Sequence, residues 1–198
     1  SRPTRCVCLY QGLLWIKMAY QDNLIRLIKD SNNWPSFERP DFLIELNVLA
    51  DDALSKNTIE GYLAALLIYH QICEEMVRLL LDDAHFFIQL SIFPSEITFP
   101  KKNKAMFGQI LDELKSTVSF DGKDDFVKKC EEINALRIEI VHKLTRQSTL
   151  ESIKSQLEKI QILFNEIYQL FDVAHDTWRV AFKDLRKDID WDEYLTEK

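Results

Sequence analysis

From about residue 40 onward, apolar side chains return every three or four positions, and no stretch sustains the two-residue alternation of a half-buried strand. That pattern predicts an all-α chain, an up-and-down bundle of two long and several shorter helices. A first short helix is expected over Ala19 to Lys29, ended by Ser31-Asn32-Asn33-Trp34-Pro35 and again by Arg39-Pro40. A second runs from Asp41 to about Lys56. The segment from Thr58 to about Ile92 is the first long helix, with Ile59, Leu63, Leu66, Leu67, His70, Cys73, Val77 and Leu80 as its inward stripe. Pro94 and Pro100 close it, and Ile97 and Phe99 fall in an irregular connection that would cover one end of the bundle. A shorter helix is expected from Lys104 to Lys115, then a turn at Phe120-Asp121-Gly122-Lys123.

Beyond that turn, Phe126, Val127, Cys130, Ile133, Leu136, Ile140, Val141 and Leu144 mark another amphipathic helix. Ser148 and Glu151 form a capping box for one final long helix. Ile153, Leu157, Ile160, Phe164, Ile167 and Phe171 face inward along it, a period that persists through Trp178, Phe182 and Leu185.

The 198 residues suffice for one domain with a sizeable core, and 46% hydrophobic with 29% charged residues excludes global disorder. All five prolines lie at or before Pro100, so the second half lacks its strongest helix breaker. The chain divides into residues 1–17, a vector-derived remnant or an N-terminal extension with Met18 as the natural start; 18–57, helices packing on the bundle; 58–188, the bundle itself; and 189–198, an acidic tail. Leu13-Leu14-Trp15-Ile16 is too short to span a bilayer, so no membrane association is expected. Cys73 and Cys130 lie in apolar helical stretches and read as core, while Cys6-Val7-Cys8 is a lone pair without a nearby histidine. A reducing, cytoplasmic setting is expected from this cysteine usage.

Net charge is −7, so the molecule offers no global field for a polyanion, and any RNA contact must be local. The residues that could make one cluster at Leu136-Arg137-Ile138-Glu139-Ile140-Val141-His142-Lys143. Arg137 carries a permanent charge and paired donors suited to a phosphate, and the His142 imidazole exchanges a proton near neutral pH. The same spacing also fits a solvated cation and a boundary histidine. On an undistorted helix residues five apart differ by roughly 140°, so the pair needs either local unwinding near His142 or a two-fold that brings a second copy alongside. Lys143 and Arg146 extend the basic patch, and Lys128 and Lys129 read as a solvated helix face.

Glu139 lies inside the motif, where it could orient a donor or meet Arg146. Glu74 and Glu75 border the inward stripe of the long helix and would need a partner if buried, for which Arg137 is the natural candidate. His70 reads as a hydrogen-bonded core histidine. His85 and His175 have no suitably spaced metal-ligating neighbours, so no metal and no cofactor are expected. Asp82-Asp83 and the Asp188–Glu193 tail read as solvated acidic surface.

Leu136-Arg137-x4-His142-Lys143, preceded by Cys130-Glu131-Glu132-Ile133-Asn134 and by Tyr69-His70-Gln71-Ile72-Cys73-Glu74-Glu75, resembles the HEPN superfamily over roughly residues 58–172. The resemblance implies a homodimer in which arginine and histidine of both protomers face one cleft. It also implies a metal-independent endoribonuclease of toxin or defence type, with His142 as acid/base and Arg137 as phosphate clamp. An antitoxin or regulatory partner, not identified by the sequence, belongs to the same expectation. Two departures stand out: Ile138 occupies the position after the arginine where a polar residue is common, and no tyrosine comes shortly after the histidine. Members lacking a working motif serve as noncatalytic RNA- or nucleotide-binding or dimerisation modules, the alternative reading for this chain.

Overall fold

The three-to-four spacing is realised as helix over nearly all of the residues described by the computed structural model: Trp34, 41–92, 95, 97–99, 105–142, 144–146 and 149–188, with backbone alone at 142, 145 and 183–188. In chain order these are α1 (Asp41–Ser55), α2 (Ile59–Ser91), α3 (Phe107–Lys115), α4 (Lys123–Arg137), a π turn (Ile138–His142), a short 3₁₀ turn (Leu144–Arg146), α5 (Leu150–Leu157) and α6 (Ile160–Asp188). No strand occurs among the described residues. The expected first helix at Ala19–Lys29 and the tail at 189–198 lie outside them. So does the expected start of the short helix at Lys104; α3 is described from Phe107.

Helix α2 is the spine, packing against α1, α3, α4, α5 and α6, while α4 also contacts α3 and α6. Its start is set locally. The Thr58 hydroxyl accepts the Gly61 N–H at 3.1 Å, the usual role of a threonine N-cap. Asn57 before it takes a left-handed φ of 52°, a conformation its short amide tolerates, and accepts the Tyr62 hydroxyl at 3.0 Å. Gly61 then lets α1 and α2 approach closely, because a Cβ there would stand 2.2 Å from the Ala53 carbonyl oxygen.

The core forms where α2, α4 and α6 turn their stripes together. Leu66, Tyr69, Cys73, Leu80, Phe126, Cys130, Ile133, Phe164, Ile167 and Phe182 are all buried. Each large apolar side chain so buried contributes about 1.5–3 kcal/mol relative to exposure. Tyr69 stacks on Phe164 with ring centroids 4.2 Å apart, and its hydroxyl donates to Asp51, which also accepts the Gln161 amide at 2.8 Å. One carboxylate therefore joins α1, α2 and α6. Trp34 packs edge-on against Phe86 and Phe182, fixing that residue against α2 and α6. Phe99 stacks on His85 at 3.8 Å, so the connection after α2 does touch the bundle.

Four expectations change. The final helix is two, α5 and α6, separated by a turn at Glu158 and Lys159 that keeps Leu157 and Ile160 both buried. Its cap is Thr149, whose hydroxyl accepts the Ser152 N–H at 3.1 Å; Ser148 lies outside the described residues. Leu67 is 42% exposed, because it falls roughly 100° from Leu66, which takes the inward position. Asp83 is buried rather than solvated: it comes seven residues after Met76, on the same face of α2. Burial pushes its carboxyl up to about 7, the charge of Asp82 adds to this, and Arg179 opposes it.

Candidate functional site

The motif starts where α4 meets α2. Asn134, in the last turn of α4, accepts from His70 Nε2 at 3.1 Å, and the His70 ring packs edge-on against Phe107 of α3 at 4.9 Å. Gln71 approaches the other ring nitrogen at 3.5 Å, consistent with a neutral imidazole protonated on Nε2. Burial lowers the His70 pKa; the Asn134 bond and the Glu74 charge oppose this, and the Arg137 charge adds to it. His70, Asn134, Glu74 and Arg137 therefore form one polar neighbourhood at the crossing of α2 and α4, beside the buried thiols Cys73 and Cys130. Burial raises both thiols well above their ordinary value, so neither is poised as a nucleophile.

Arg137 is the last residue of α4 and is half-buried. Immediately after it the backbone changes to the π turn Ile138–His142. Ile138, Ile140 and Val141 are β-branched and poor in helix propensity, so this run holds the α form weakly. A π turn closes hydrogen bonds five residues apart, so the fifth residue takes roughly the place of the fourth in an α-helix. The backbone positions of Arg137 and His142 are then offset by roughly 40° around the axis instead of 140°. The extra residue also rotates the chain beyond it, which accounts for Leu144, inward by uninterrupted count, being 40% exposed. Ile140 remains fully buried and anchors the turn.

The other expected site residues are partly assembled here. Glu139 is half-buried within the π turn, and Arg146 is exposed in the 3₁₀ turn one step on. Lys143 and the side chain of His142 lie outside the described atoms. Glu74 is half-buried on α2 and forms a salt bridge with Arg78 at 2.7 Å, one turn further along the same helix. An i, i+4 arginine reaches Glu74 without crossing between helices, and its guanidinium also donates to the Ala105 carbonyl. Glu75 is half-buried at the next position of α2, turned roughly 100° away from Glu74.

His70 and Asn134 join the motif without having been assigned a role in it. Their signal is an amide on the inward side of an otherwise apolar helix face, which a buried position obliges to find a partner. The lysines at the far end of α4 are engaged otherwise. An open hollow of about 230 Å³ there includes Lys115, Lys123, Lys128 and Glu131. Lys115 pairs with Asp112 and Glu131, Lys129 with Glu166, and the Lys123 ammonium caps α3 by donating to the carbonyls of Lys115, Thr117 and Val118.

Among the described residues no three metal-capable side chains converge, and no helix is long and apolar enough to cross a membrane. Comparisons with family profiles, with curated proteins and with solved structures return no match for this chain.

Proposed function

We propose that this chain is a HEPN-type, metal-independent endoribonuclease of toxin or defence character, in which Arg137 and His142 act together at the cleft of a homodimer. The observation that carries the reading is the π turn beginning right after Arg137, which supplies the local unwinding that an arginine and histidine five apart require. In the proposed reaction Arg137 holds the non-bridging oxygens of the scissile phosphate through charge-assisted bonds. One His142 imidazole takes the proton of the ribose 2′-hydroxyl as its oxygen bonds to phosphorus; the second protomer's imidazole gives a proton to the departing 5′-oxygen. The products are a cyclic 2′,3′-phosphate end and a 5′-hydroxyl end. No metal enters the scheme.

The test is cleavage of a single-stranded RNA panel by wild type and by His142→Ala, Arg137→Ala and Arg137→Lys, each checked for unchanged helicity. The reading predicts loss of at least about 100-fold with His142→Ala, the scale of a lost general base. Arg137→Lys should also be poorly active, because an ammonium does not reproduce a planar two-donor grip. Full activity in both alanine variants would remove the mechanism.

One observation favours the noncatalytic alternative. Ile138, 44% exposed beside Arg137, offers an apolar surface where the active pattern commonly has a polar group. If folded wild type binds RNA or nucleotide through Arg137 without cleaving it, the chain is a binding module.

A further inference from the structure

Helix α1 lies at the edge of the bundle and presents a solvent face of unusual make-up. Its fifteen residues carry Asp41, Glu45, Asp51 and Asp52 and no lysine or arginine. Placed at roughly 100° per residue, Asp41, Glu45 and Asp52 form a central acidic stripe on the exposed side. Ile44 and Val48, 51% and 55% exposed, flank it on the α6 side; Phe42 and Leu49, 63% and 53% exposed, flank it on the other. Single exposed apolar side chains are ordinary, but four around one acidic stripe on one helix form a patch.

The α6 side of that patch leads into a cavity of about 50 Å³ between Leu43, Ile44 and Asn47 of α1, Ile72 and Met76 of α2, and Phe171 of α6. Asn47 and Tyr168 are its polar lining residues, and the rest of the lining is apolar. An aliphatic branch suits such a void better than a water, which usually makes about three hydrogen bonds when buried.

We propose that the exposed face of α1 is a docking surface for a basic amphipathic helix of a partner protein. A leucine-sized side chain of that helix enters the cavity beside Ile44, and lysine or arginine side chains lie along Asp41, Glu45 and Asp52. Charge complementarity selects a basic partner over a second copy, because two α1 faces brought together would oppose acidic stripes. Helix-in-groove recognition through anchors at three-to-four spacing is a general mode of this kind. The inference does not depend on the ribonuclease reading.

The test uses the ¹⁵N-labelled full chain and a synthetic helical peptide of about 16 residues, leucines at three-to-four spacing on one face and lysines beside them. Amide shifts confined to residues 42–52 and the cavity walls are expected, with a dissociation constant of ~10–100 µM. The Ile44→Asp/Val48→Asp variant separates docking from mere attraction: it adds negative charge, so a purely coulombic contact would tighten, whereas docking weakens at least about tenfold. Ile44→Ala/Val48→Ala, with no charge change, should weaken in the same direction. Binding that the aspartate variant retains or strengthens would overturn the proposal. So would shifts centred on α4, or a folded wild type whose α1 amides do not respond to the peptide.

Discussion

Asp83 is the residue at which charge and burial conflict most directly. Its carboxyl is 3% exposed, Oδ2 has no hydrogen-bond partner, and its pKa stands near 7 instead of the usual 3.8. An acid whose folded pKa is raised holds its proton more tightly when folded, so stability falls as pH rises from about 4 to about 7 and stays low above that. The rise corresponds to an upper bound of roughly 4 kcal/mol. Asp83→Asn should therefore raise the melting temperature at pH 8 by roughly 4–8 °C and by less at pH 5, read by thermal denaturation at both values. A loss of stability at pH 8 would mean that the charged carboxylate is stabilising. His70 acts in the opposite sense. Its lowered pKa means that stability is present above 6.5 and is lost as pH falls below that value. His70 is legible as a hydrogen-bonded core histidine and is one, whereas Asp83 is not: Asp82-Asp83 looks like surface because a doublet of acids usually is, and only the seven-residue return from Met76 places one of the pair inward.

At the scale of the element, the helices are legible because burial enforces a period, and α1, α2 and α4 begin close to where capping and turn residues place them. The break between α5 and α6 is not, since neither proline nor glycine marks Glu158-Lys159 and the apolar period continues through it. The π turn is foreshadowed only as a need of the Arg137 and His142 spacing; its β-branched run is a weak local signal, compatible also with an α-helix or an extended segment. The α1–α2 hairpin depends on a backbone approach that the sequence announces by a single glycine. Gly61→Ala would push a methyl group into the Ala53 carbonyl oxygen. We expect a cost of about 2–4 kcal/mol, a fall of roughly 5–10 °C in melting temperature, and loosened protection of α1 amides in hydrogen exchange. An unchanged melting temperature would show that the hairpin can open at that point without penalty.

At the scale of the molecule, the described residues form an all-helical bundle wrapped on α2, with the motif where α4 meets α2 and an acidic, apolar face on α1. The bundle architecture is dictated by periodicity alone, whereas the site depends on a register change and on contacts between helices, His70 with Asn134 above all, which no single-helix pattern encodes. A net charge of −7 makes nonspecific RNA binding unfavourable, so the proposed activity must come from a local pairing of Arg137 and His142, doubled across a two-fold. The measurement that bears on this most directly is end-group analysis of single-stranded RNA incubated in EDTA with purified wild type and His142→Ala. The account predicts cyclic 2′,3′-phosphate and 5′-hydroxyl ends from wild type and intact RNA from the variant. Intact RNA from a folded, dimeric wild type, or 3′-hydroxyl ends, would contradict it.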